Sequence, residues 1–183
     1  MAERQRPIEQ DKIKRRTNFE PVEENFTDEQ ALVEASRCLN CKNPRCVKGC
    51  PVNIQIPKFI QEVKSGNIDK AGEIIRETSM LPSVCGRVCP QERQCEGNCV
   101  LGIKGDSVAI GALERYVGDK TTAEEVEIKP SGKKVAVIGS GCAGITAAAD
   151  LRKAGHEVAV FEALHKLGGV LRYGIPPFRL PRT

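Results

Sequence analysis

The chain has 183 residues, enough for one medium domain or two small ones. Aromatic residues make up 4% and Trp is absent, which excludes a large aromatic core. The net charge of +4 is modest, and its densest run, Lys12, Lys14, Arg15 and Arg16, is short enough to be a solvated tail with no nucleic-acid motif beside it. No stretch approaches the roughly 18 to 20 apolar residues that span a bilayer, so no membrane association is expected. Residues 1–16 are charged and lack the apolar centre of a signal peptide, so a cytoplasmic protein is expected. In a reducing compartment the nine cysteines read as metal ligands or free thiols rather than disulfides.

In chain order, residues 1–26 are polar and aperiodic and read as an extended arm. Thr27-Asp28-Glu29-Gln30 is a capping box that predicts a helix from Asp28 to about Arg37, delivering the chain into Cys38. Pro57 suits the first turn of a second helix, which Gly66 can end. Asn67 to Thr78 predicts a third, with Ile68, Ala71, Ile74 and Ile75 on one face. A second cysteine-rich loop follows Pro82, over 85–99. Ser107 is placed to cap a fourth helix ending near Gly118. The helical domain is therefore drawn over 27–118, and the charged, Pro- and Gly-containing stretch 119–132 reads as a linker. Beyond it, over 133–183, the texture changes: a β-branched strand over 133–138, a helix over 143–154 and a strand over 157–161 make one βαβ unit.

The first cysteine loop reads Cys38-x2-Cys41-x4-Cys46-x3-Cys50-Pro51. The second reads Cys85-x3-Cys89-Pro90, then Cys95-x3-Cys99. Cubane clusters need four soft ligands on backbone that can wrap around them, and in two-cluster ferredoxins the cysteine before a proline serves the other cluster. Cys50-Pro51 and Cys89-Pro90 invite that crossed arrangement. Structural zinc is the alternative, but only Cys38 and Cys41 form the close knuckle that zinc sites usually pair. His156 and His165 lie far along the chain and read as surface or packing residues.

Gly139-Ser140-Gly141-Cys142-Ala143-Gly144 follows a strand and opens a helix, the context in which a glycine-rich loop cradles a pyrophosphate. Gly139 permits the turn, Gly141 the approach of the phosphates, and Gly144 close helix–strand packing. Cys142 and Ala143 fall beside the phosphates, Cys142 as a free thiol with no neighbouring base. Glu162, at the end of the second strand, is placed for a ribose hydroxyl and disfavours a 2′-phosphate. An ordinary glycine turn is the alternative for this loop, and for Gly168-Gly169 beyond it.

These motifs resemble a family. The Cys38–Pro51 loop, Val84-Cys85-Gly86-Arg87-Val88-Cys89-Pro90, the Cys95–Cys99 pair and Leu167-Gly168-Gly169-Val170-Leu171-Arg172-Tyr173-Gly174-Ile175-Pro176 are similar to the small subunit of NADPH-dependent glutamate synthase. The flavin subunit of NADH-dependent ferredoxin:NADP oxidoreductase and the N-terminal part of dihydropyrimidine dehydrogenase are related. The resemblance spans residues 20 to 181. It implies a helical domain with two [4Fe–4S] clusters, then the first βαβ unit of a Rossmann-type FAD domain. One cluster would use Cys38, Cys41, Cys46 and Cys99. The other would use Cys50, Cys89 and Cys95, with a fourth ligand from the following helix at Glu114. Spacing alone selects Cys85 for that place, and a solvated helix residue is the plain alternative for Glu114. The resemblance also puts Gly139, Gly141, Gly144 and Glu162 on the ADP half of FAD, and Gly168-Gly169 near the pyrophosphate.

The family continues well beyond this length, so the chain is expected to be an N-terminal piece with the NADPH site lying outside it. As it stands it is expected to bind clusters, bind FAD poorly and oxidise no NADPH. The expected parent is an oxidoreductase moving electrons between NADPH, FAD and the clusters to a partner, in a hetero-oligomer. That partner is a glutamate synthase large subunit or a ferredoxin-linked subunit. The competing readings are a stand-alone iron–sulfur electron-transfer module without catalysis, and a zinc-stabilised interaction domain.

Overall fold

Thr27 opens the helical half as its sequence predicts. In the computed structural model, which describes residues 2–122 and 128–182, the Thr27 hydroxyl accepts the Gln30 N–H while the Thr27 N–H donates to the Gln30 side chain. Two donors that the first turn of α1 (Asp28–Ser36) cannot pair are thereby satisfied. A short helix that periodicity could not reveal, α2 (Arg45–Gly49), lies inside the first cysteine loop. Helix α3 (Ile56–Lys64) takes Pro57 in its first turn and stops before Gly66, whose φ of +79° only glycine adopts freely. Helix α4 (Ile68–Arg76) turns Ala71, Ile74 and Ile75 inward.

Two expectations are corrected. The stretch 82–88, read partly as loop, is helix α5 (Pro82–Val88), started by Pro82 where a missing N–H costs nothing. Three 3-10 turns, Gln91–Arg93, Glu96–Asn98 and Val100–Ile103, continue the segment. The second correction concerns Ser107, which does not cap α6 (Ile110–Lys120). Its hydroxyl and carbonyl accept hydrogen bonds from Arg4, and the carbonyl also accepts from Arg37. The donors at the start of α6 go instead to distant buried carboxylates. Ala109 N–H donates to Glu34 Oε1 at 2.7 Å and Gly111 N–H to Glu96 Oε1 at 3.0 Å. Negative charge at a helix N-terminus also complements its dipole.

The described residues divide into two units, one of residues 2–18 and 22–122, the other of 19–21 and 128–182. Phe59, Ile56, Ile60, Ile75, Ile110, Leu113 and Val117 are fully buried in the first. Its N-terminal residues are anchored: Arg4 pairs with Glu96 at 2.6 Å and Gln5 N–H donates to Glu34 Oε2 at 2.6 Å. The tightest helix contact is α5 on α6, where a Cβ on Gly86 would sit 2.5 Å from the Arg115 backbone nitrogen. Gly86→Ala must therefore push the helices apart. A loss of about 1–3 kcal/mol is expected in chemical denaturation, and an unchanged midpoint would reject this packing.

In the second unit β1 (Lys134–Ile138) and β2 (Glu157–Phe161) pair in parallel, Lys134 opposite Glu157 through Ile138 opposite Phe161. Helix α7 (Cys142–Lys153) crosses between them and packs on both, and α8 (Val170–Tyr173) follows. Ile138 stays 81% exposed and Phe161 57%, unusual for parallel strands, which are normally covered on both faces. The middle of the expected linker, residues 123–127, lies outside the described residues.

Candidate cluster and nucleotide sites

The close approach at Gly86 brings its neighbour Cys85 to the neighbour of Arg115, Glu114. Glu114 is 5% exposed, and its Oε1 is buried without a hydrogen-bond partner. Burial first, and the nearby Cys85 second, push its carboxyl up to about 8. Such a group is costly unless something compensates it. Three thiols lie within its electrostatic reach. Cys95 is raised to about 12 by burial, then by Glu96, Glu114 and Cys50. Cys89 is lowered, first by a hydrogen bond from Cys85, against burial and the charges of Glu114, Cys95 and Cys50. Cys50, Cys85, Cys89, Cys95 and Glu114 therefore form one group.

Cys38, Cys41, Cys46 and Cys99 line one pocket with Leu39, Ile56 and Val108 among its apolar walls. Burial raises Cys46 to about 11, with the charges of Cys99 and Cys38 adding to it. Burial likewise raises Cys38, and the charges of Cys41 and Cys99 add to it. Raised, clustered thiols suit a metal centre, because a bound cation reverses the repulsion and stabilises the thiolates. Among the described residues, no three His, Cys, Asp or Glu side chains are grouped so as to hold a single metal ion. The four thiols line a common space. That arrangement, and the orphaned oxygen of Glu114, fit four-cornered clusters. His156 Nδ1 contacts the Ser131 hydroxyl and His165 Nδ1 the Tyr173 hydroxyl, both at exposed positions.

The glycine loop is built as its spacing predicts. A Cβ on Gly144 would lie 2.0 Å from the Gly139 carbonyl oxygen, while one on Gly141 would meet open space. That space faces the first turn of α7, whose N–H groups have no carbonyl partner within the helix. The loop thus fits a nucleotide phosphate. Gly144→Ala is expected to spring the Gly139 turn apart. Amide-exchange protection of β1 and β2 should fall steeply; retained protection would reject the contact.

Ser140, which spacing passed over as filler, organises this end. It is 1% exposed, and its N–H and hydroxyl both donate to Glu162 Oε2, at 2.9 and 2.5 Å. Gly168 N–H donates back to the Ser140 hydroxyl at 3.0 Å. A Cβ on Gly169 would sit 2.9 Å from the Gly141 Cα, so the Gly168-Gly169 turn lies directly on the loop. The Ser140 hydroxyl first, then the Leu164 and Ser140 N–H groups, hold the Glu162 carboxyl down to about 2. Cys142, the first residue of α7, is exposed, with Ala143 after it.

These features define a helical 4Fe–4S domain followed by the start of a Rossmann-like nucleotide-binding domain. Comparison with known proteins gives the family. Residues 15–126 match dihydropyrimidine dehydrogenase domain II, 4Fe-4S cluster, and the chain belongs to that family. Residues 137–176 match an NAD(P)-binding Rossmann-like domain. The chain is 42% identical over 173 residues to the glutamate synthase [NADPH] small chain of Escherichia coli, covering 92% of this chain and 37% of the relative. It is 39% identical to that of Azospirillum brasilense, covering 97% and 38%. It is 40% identical to the NAD-dependent dihydropyrimidine dehydrogenase subunit PreT of Escherichia coli, covering 86% and 39%. The motif-level resemblance is thus borne out, and the chain spans less than two fifths of these relatives. Among the described residues no helix is long and apolar enough to cross a membrane.

Proposed function

We propose that this chain holds two [4Fe–4S] clusters and the ADP-binding opening of an FAD site in an electron-transfer oxidoreductase subunit. Cys38, Cys41, Cys46 and Cys99 would hold one cluster, and Cys50, Cys89, Cys95 and Glu114 the other. The observation that carries the reading is the buried, partnerless Glu114 oxygen beside the thiols of Cys85, Cys89 and Cys95. Gly139, Gly141, Gly144 and the Gly168-Gly169 turn would cradle the pyrophosphate, with Cys142 and Ala143 beside it. Glu162 would take a ribose hydroxyl while Ser140 holds it ionised. Bound there, a flavin would convert a two-electron donor to one-electron carriers, and the clusters would relay single electrons. The chain's own part is to shield the thiolates in apolar walls and fix the phosphate loop. In the whole protein the donor is NADPH and the acceptor a partner of glutamate synthase large-subunit type or a ferredoxin-linked subunit. Relatives named as small chains support that reading.

Anaerobic purification tests it. A brown protein with broad absorbance near about 400 nm and about eight irons per chain is expected. A colourless chain carrying zinc would overturn the assignment.

A further inference from the structure

We propose that the mouth of the pocket lined by Cys38, Cys41, Cys46 and Cys99 is a docking face for a protein electron carrier with an acidic surface, held by a cationic rim around an apolar centre. The inference rests on the cluster assignment above and adds to it the surface chemistry of the partner.

The pocket reaches the surface through apolar side chains. Leu39 and Val100 line it and are exposed, and so is Ile103, at the end of the 3-10 turn Val100–Ile103 that follows Cys99. The four thiols are themselves only partly buried. A protein seated on Leu39 and Val100 therefore lies against the ligating sulfurs. Apolar side chains grouped at a surface and rimmed by polar ones mark an interaction site.

That rim has one sign. Residues 38–58 carry Lys42, Arg45, Lys48 and Lys58 and no Asp or Glu. Residues 99–105 add Lys104 and again no carboxylate. The whole chain sets 28 Lys and Arg against 24 Asp and Glu, so the imbalance is local. Arg45 is the only charged residue in the pocket wall, and both it and Lys42 are exposed. Among the described residues neither enters an ion pair. The carboxylate just before Cys99, that of Glu96, is buried and taken by Arg4 and the Gly111 N–H.

Charge selects the occupant. A second copy docking through the same face would set cation against cation, because a two-fold axis places a patch on itself. An acidic protein face instead neutralises the rim while its own apolar side chains cover Leu39, Val100 and Ile103. An anionic lipid surface offers the same charge, but this patch surrounds cluster ligands, and lipid exchanges no electrons with them. Redox carriers meet through small, transient interfaces of this kind.

The test is titration calorimetry of the cluster-loaded full chain with an acidic, plant-type [2Fe–2S] ferredoxin. Binding is expected, weakening about tenfold or more between about 20 and about 200 mM salt. Joint substitution of Lys42→Glu and Arg45→Glu is expected to weaken low-salt binding by about tenfold or more. Leu39→Ser is expected to weaken it at both salt concentrations. Lys70→Glu, on α4 and outside the pocket wall, is expected to bind as the wild type does. Unchanged binding in the joint variant, or equal weakening by Lys70→Glu, would overturn the inference. Equal affinity for a basic cytochrome c overturns it too, as does binding to phosphatidylserine vesicles without binding to ferredoxin. A dimer in sedimentation that Leu39→Ser dissolves assigns the face to a second copy and also overturns it. Where the charge reversals cost iron, Lys42→Gln with Arg45→Gln decides: weaker low-salt binding supports the face, and unchanged binding overturns it. A wild-type chain that takes up no iron overturns the cluster assignment and this inference with it. Full iron without ferredoxin binding overturns this inference alone.

Discussion

Replacing Glu34 by Ala is expected to cost about 3–5 kcal/mol, the usual penalty for breaking a buried ion pair from one side. Glu34 is 0% exposed and Arg37 5%. One carboxylate oxygen takes the Arg37 guanidinium at 2.6 Å and the Ala109 N–H at 2.7 Å, and the other takes the Gln5 N–H. Without Glu34, Arg37 keeps only carbonyl partners, those of Ala2, Asp106 and Ser107, for a charge it cannot shed. The Ala109 N–H at the N-cap of α6 loses its acceptor in the same step. Glu34→Gln, which preserves acceptors but not the charge, is expected to lose less. Urea denaturation followed by circular dichroism reads both. A loss under about 1 kcal/mol for Glu34→Ala would place this pair among those that contribute nothing measurable.

Glu114→Ala is expected to change one cluster and spare the other. In the iron-loaded chain, the EPR signature of the cluster on Cys50, Cys89 and Cys95 should be lost or altered, while that of the cluster on Cys38, Cys41, Cys46 and Cys99 persists. In the metal-free chain the same substitution removes a buried group that has no partner, so it should not destabilise the fold. A ligand gives that opposition between the two states. A merely structural carboxyl destabilises both, and a solvated one alters neither. Two unchanged EPR signatures would reject Glu114 as a ligand.

What could be read in the sequence was what is written locally. The capping box of α1 needs only Thr27 and Gln30, three residues apart, and it forms as written. The βαβ unit follows from alternation, a glycine loop and a helical stretch, and it too forms as written. The start of α6 could not be read this way. Its donors find Glu34, 75 residues away, and Glu96, 15 residues away, so nearby Ser107 looked like the cap while serving Arg4 and Arg37. Helix α5 did carry a signal, Pro82 at its first position, but the cysteine spacing that follows drew the reading toward a loop. Ser140 was missed for a third reason. Its position in the glycine motif tolerates many residues, and only burial against Glu162 reveals that it ties the loop to the end of β2.

The anchoring of the first few residues has a consequence for the order of events during synthesis. Arg4 is made well before its partners Glu96 and Ser107, which lie 92 and 103 residues later. At about 5–20 residues per second, that interval lasts roughly 5 to 20 seconds. Cys38 through Cys95 all emerge before Glu96, and Cys99 before Ser107, so every cysteine of both loops is made before Arg4 can complete its contacts. The nascent chain therefore passes through a period, between Cys99 and Ser107, in which every cysteine of both loops has been made and the N-terminal tether is not yet complete.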